Sequence, residues 1–147
     1  IYAMPEASLE MRFCTIVGNA GGEGSGIAVA SAGVELAASI VFGNAGAPDL
    51  GGLVSGVVSQ GFNLFGSLGG ETSLADPTDL VGEAPLLGEL SDNGGPTPTM
   101  LLQPESPAVD AIPADACAAL AGEEPLVDQR GRPRPSGSGC EIGAVEL

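Results

Sequence analysis

The strongest constraint on this chain is a repeat. Ala7-Ser8-Leu9-Glu10-Met11 aligns with Ala32-Gly33-Val34-Glu35-Leu36 at an offset of 25 residues, and the same offset places Ile16-Val17-Gly18-Asn19-Ala20-Gly21 on Val41-Phe42-Gly43-Asn44-Ala45-Gly46. Ile1 finds its counterpart at Ile27, one step further, at an offset of 26. A fainter third copy runs from Leu53 to Gly66 and closes on Gly61-Phe62-Asn63-Leu64-Phe65-Gly66. Short apolar strands separated by Gly/Asn/Ser turns at a fixed period of roughly 20–30 residues are the mark of a stacked repeat. One unit cannot bury its own inward face, so it must rest on the next at about 4.8 Å, the spacing between paired strands. Short strands with regular turns also fit a sandwich. The fixed period favours the solenoid, with Leu9, Met11, Ile16, Val34, Leu36 and Val41 pointing inward.

The Gly-Asn pairs suit corners between sheets. Gly enters left-handed backbone conformations without steric cost, and Asn tolerates them. Asn19 and Asn44 at equivalent corners would stack their amides along the repeat axis. Helix signals are poor: Gly33 and Gly43 bracket the Ala-containing stretch Val34 to Ile40. Ten of the twelve prolines fall from Pro77 onward, a density that excludes long helices and central strands. One domain is expected, with repeat coils over 1–70 and final irregular coils plus a C-terminal cap over 71–147.

Composition excludes several chemistries. The chain has no His and no Lys, so Ser-His-Asp sites, Cys/His zinc clusters, Walker-type phosphate grips and Schiff bases are out of reach. Four arginines against 19 acidic residues give a formal net charge of −15, which repels nucleic acid and anionic membrane surfaces. Apolar residues make up 44% and charged residues 16%, the reverse of a disordered composition. No apolar run approaches the ~20 residues of a membrane span. The chain opens on Ile1 and not on an initiator Met, as expected of a processed product or part of a longer chain.

The back half carries a run of motifs: Asp79-Leu80-Val81-Gly82, Pro85-Leu86-Leu87-Gly88-Glu89-Leu90, Asp92-Asn93-Gly94-Gly95-Pro96-Thr97-Pro98-Thr99, Ser106-Pro107-Ala108-Val109-Asp110-Ala111, and Asp128-Gln129-Arg130-Gly131-Arg132-Pro133-Arg134-Pro135 before Cys140-Glu141-Ile142-Gly143-Ala144-Val145-Glu146. With Gly61 to Gly66 ahead of them, these resemble the C-terminal portion of bacterial secreted right-handed parallel β-helix proteins of the choice-of-anchor Q or CSLREA type. Those are similar in outline to polymorphic outer-membrane proteins. The resemblance implies an all-β, right-handed parallel β-helix with an irregular Pro-rich C-terminal cap, secreted or displayed at a cell surface. Phe13 and Ala38 stand where that family often has a corner Asn, which interrupts an Asn ladder there.

The resemblance also implies a disulfide between Cys117 and Cys140, against the alternative of two free buried thiols. Closing that loop would stabilise by roughly 3 kcal/mol in the chain-entropy model. Cys14 aligns with Ser39 and reads as a small filler, with an intermolecular bridge as the lesser reading. Asp76 and Asp79 are weak calcium candidates, because loop carboxylates suit the ion but Asx-turns explain them equally well, and no EF-hand or nonapeptide repeat is present. No other cofactor is expected. Asp128, Arg130, Arg132 and Arg134 read as cap salt bridges in preference to an anionic-sugar site. The Gly-rich stretches at 21–26 and 66–70 precede no helix, and Glu23 and Glu71 oppose phosphate, so both are loops.

The function expected is structural and non-catalytic: adhesion, scaffold, or head-to-tail assembly into filaments, with the partner being another copy or upstream coils. The alternative is a polysaccharide lyase or hydrolase, or a glycan-binding module. A single Tyr and no Trp leave little for sugar stacking.

Overall fold

The computed structural model describes residues 1–22, 24–30, 33–52, 56–69, 76–122 and 126–147. Ala32, Leu53, Gly70, Pro125, Glu23 and Glu71, which enter the repeat, loop and proline readings, lie outside them. The described elements are β1 (Tyr2–Ala3), β2 (Ser8–Arg12), β3 (Thr15–Val17), β4 (Ile27–Val29), β5 (Gly33–Ala37), β6 (Ile40–Phe42), β7 (Leu50–Gly52), β8 (Val57–Ser59), β9 (Leu64–Phe65), β10 (Leu80–Val81), β11 (Ile112–Pro113), α1 (Ala114–Ala121) and β12 (Gly139–Cys140).

Each repeat unit gives one strand to each of three parallel sheets, ordered β1-β4-β7, β2-β5-β8 and β10-β9-β6-β3. The registers match the aligned residues: Leu9 pairs with Val34, Met11 with Leu36, and Ile16 with Val41. One core lies between the sheets and holds Ala3, Met11, Ile16, Ile27, Val29, Val34, Leu36, Val41, Leu50 and Phe65, with Leu9 against it.

The expectation of one continuous right-handed parallel β-helix of five or six coils is overturned. The strands, two to five residues long, form several separate small sheets. The four-strand sheet ends at β10, the only described pairing later than that in a sheet is the antiparallel β11–β12, and a helix follows β11. Two physical causes act together. Prolines beyond Pro77 remove the N–H donors that a further ladder would need. In addition, the β10-β9-β6-β3 sheet is apolar on both faces: Val41 and Phe65 enter the first core while Ile40, Phe42 and Leu64 face a second. That outer face needs cover. Leu102, Ala108, Ile112, Cys117, Cys140 and Ile142 supply it, so the back half lies along the side of the sheet instead of extending the stack.

The corner between second and third strands is left-handed in every unit, at Phe13, Ala38 and Phe62 with φ of 51°, 51° and 55°. None is glycine, so each costs on the order of 1 kcal/mol. Side chains of the neighbouring unit hold the residue that follows: Cys14 N donates to Ser39 Oγ at 3.1 Å, Ser39 N to Asn63 Oδ1 at 3.1 Å, and Asn63 N to Asp79 Oδ1 at 2.9 Å.

Candidate functional site

Two regions combine unusual geometry with chemistry: the sheet edges formed by the first repeat, and a buried charge cluster beside them. β1, β2 and β3 are all edge strands, and all lie at the same end of their sheets. Ala28 N donates to Ile1 O, Gly33 N to Ala7 O and Ile40 N to Cys14 O. In a parallel ladder alternate residues address opposite neighbours. Tyr2, Ser8, Glu10, Arg12, Thr15 and Val17 therefore turn their main-chain groups outward. Ile1, Tyr2 and Met4 stand exposed there. At the opposite end β7, β8 and β10 come last in their sheets among the described residues, with Leu50 of β7 bridged to Leu68 and with Val58 and Val81 exposed.

The C-terminal segment flanks the β3 edge. Ala144 N donates to Thr15 Oγ1 at 3.0 Å and Gly143 N to Ala38 O at 2.8 Å. Between them runs a groove of about 460 Å³ lined by Ile1, Ile16, Val17, Met100, Gln129 and Val145, among others.

Behind the groove lies the charge cluster. Asp128 accepts from Arg130 N (2.7 Å), Arg132 N (3.0 Å) and Glu146 N (3.0 Å), and its ion pair with Arg130 measures 2.7 Å. Burial pushes the Asp128 carboxyl up, but these hydrogen bonds outweigh it and the net shift is downward. Arg134 pairs with Glu146 at 2.9 Å, donates to Glu141 O and Gly143 O, and stacks 4.7 Å from the centre of the Phe13 ring. Arg132 is different: its side chain makes no ion pair among the described residues. Glu141 also belongs to the cluster, and the sequence reading missed it. Burial, the hydrogen-bonded Glu146 carboxyl and the charges of Glu146 and Asp110 push it up to about 8. A single-letter reading gives no signal for this, because a Glu near a C-terminus reads as surface.

Cys117 and Cys140 are joined, with Cα atoms 6.0 Å apart, and both are buried. The bond ties α1 to β12. Cys14 is free and half-buried, and burial pushes its thiol up. Asn19 and Asn44 do meet: Asn44 Oδ1 accepts from Asn19 N and Nδ2, both at 2.9 Å. The Asn44 amide then donates to Asp49 Oδ1 at 2.7 Å and Ile16 O at 3.0 Å. Asp76 and Asp79 turn to different partners. Asp76 Oδ1 accepts from Thr78 N and Oγ1, which holds its carboxyl below the usual range, while Asp79 serves Asn63. Among the described residues no group of three or more acidic or Cys side chains is placed to hold a metal. No described helix is long and apolar enough to cross a membrane.

Comparison with known proteins finds no matching family model, curated protein or solved structure. The likeness to choice-of-anchor Q proteins therefore stands on the motif run alone.

Proposed function

We propose that this chain is a non-catalytic extracellular structural module that associates head to tail through its sheet edges. The observation that carries the reading is the coincidence of three edge strands, β1, β2 and β3, at one end of the stack. Unpaired strand edges are templates for another chain. The fitting occupant is a second copy, because the packing between repeat units is itself parallel pairing along these same three strands. The far-end strands among the described residues, β7, β8 and β10, offer the complementary surface, and a contact between unlike ends continues without closing. Asp128 and Glu146 are buried and hydrogen-bonded to arginine and main-chain N–H groups, which supports the non-catalytic reading over an anionic-sugar site.

Sedimentation velocity across a wide concentration range, with electron microscopy of the concentrated sample, tests this. Growing species and fibres are expected. A chain that stays monomeric and forms no fibres overturns the reading.

A further inference from the structure

The charge cluster is unbalanced, and the imbalance falls on one residue. Three carboxyls, Asp128, Glu141 and Glu146, share two guanidinium groups, and both are taken: Arg130 by Asp128 and Arg134 by Glu146. Glu141 is 2% exposed and its Oε2 has no hydrogen-bond partner among the described residues. The Arg134 guanidinium feels the charge of Glu141, but its ion pair is with Glu146, and the other groups facing Glu141 oppose an anion. Glu146 and, from the segment leading into β11, Asp110 are acids, and Asp110 Oδ1 already accepts from Gly139 N at 2.8 Å. On the front half, Phe13 presents a ring to Arg134, and Arg12 is turned to Glu10 and to Leu120 O. An unpaired charge cannot be held in such a place without water or movement, whereas a neutral carboxyl can.

We propose that Glu141 is a proton-loaded latch for the C-terminal segment: protonated, it lets the segment seat against Phe13 and β3, and ionised, it unseats it. The latch has a fixed root and a free arm. Cys140 is tied to Cys117, so movement is confined to residues after it and to the loop from Asp128 to Arg134. What loosens is the Arg134–Phe13 stack and the bonds from Gly143 to Ala38 and from Ala144 to Thr15. The Ala144–Thr15 contact walls the groove along β3, so release widens access to that edge. The direction of the carboxyl, up to about 8, puts the change just above neutral pH.

Carbon-13 carboxyl resonances of the full chain, followed from pH 4 to 10, test the latch directly. Glu141 is assigned through the Cys140 and Ile142 amides, so no variant is needed for this step. One glutamate, Glu141, is expected to titrate above neutrality. Amide exchange at Gly143 and Ala144 should rise by up to about tenfold per pH unit beyond the base-catalysed rate between about pH 4.5 and 8, and by no further excess above that, as a single ionisation requires. In Glu141→Gln the excess should vanish. A Glu141 resonance that titrates in the ordinary carboxylate range overturns the proposal. So does an alkaline titration that leaves the Gly143 and Ala144 amides unmoved. Neither readout depends on association between copies, so failure here is separate from failure of the edge-assembly reading.

Discussion

Single side chains bridge the repeat units, and Asn63 shows how much rests on one of them. It is fully buried, accepts from Ser39 N, and donates to Leu36 O, Ser59 Oγ and Asp79 Oδ1 at 3.0–3.1 Å. Asn63→Ala leaves several buried groups unpaired and should cost about 2–4 kcal/mol in urea unfolding. Asn19→Ala, at an exposed position, should cost less than about 1 kcal/mol in the same measurement. The Asn19–Asn44 contact was legible in the sequence because the letters repeat. The ladder through Cys14, Ser39, Asn63 and Asp79 was not, because three different side chains, those of Ser39, Asn63 and Asp79, fill the acceptor role. What unites them is their place just after a corner, left-handed at residues 13, 38 and 62, a backbone property the letters do not carry.

At the level of elements, the front half was readable and the back half was not. A strand with one apolar face alternates, and Leu9, Met11, Val34 and Leu36 do so. Ile40-Val41-Phe42 is buried on both faces, so alternation identifies Val41 and is silent about the second core. The Pro-rich composition rightly speaks against long helices, yet α1 needs only eight residues and starts directly after Pro113. The close fit between halves makes two expectations. Gly143 has φ of 101°, and a Cβ there would lie 2.8 Å from Ile40 Cδ1 and Thr15 Oγ1. Gly143→Ala should therefore destabilise by about 1–3 kcal/mol by thermal or urea unfolding. Reducing the Cys117–Cys140 bond should lower stability by roughly 3 kcal/mol, read as a drop in the urea midpoint with reductant present.

For the whole molecule, charge and proton balance set the working conditions. Asp128, held low, contributes stability that is present above its unfolded value near 3.8 and lost as pH falls through its folded value. Glu141 acts in the opposite sense. Its folded value of about 8 lies above 4.5, so its contribution is full below pH 4.5 and fades as pH rises toward 8. Thermal unfolding across pH should therefore peak near pH 4–5 and decline toward pH 8, and Glu141→Gln should flatten the alkaline side. A net charge of −15 opposes association, and salt screens it within about 10 Å at 0.1 M. Association should consequently strengthen with added salt.

Glu10 offers a precise block, since its N–H points away from β5 and Pro is tolerated on an edge strand. Glu10→Pro should keep the fold and abolish the growing species. The most direct measurement is amide exchange of the intact chain at low and high concentration, read residue by residue. Protection is expected to rise with concentration at the outward amides of Ser8, Glu10, Thr15 and Val17, while Met11 and Ile16, already paired inside their sheets, stay constant. Outward amides that exchange at the same rate at every concentration would contradict assembly through these edges.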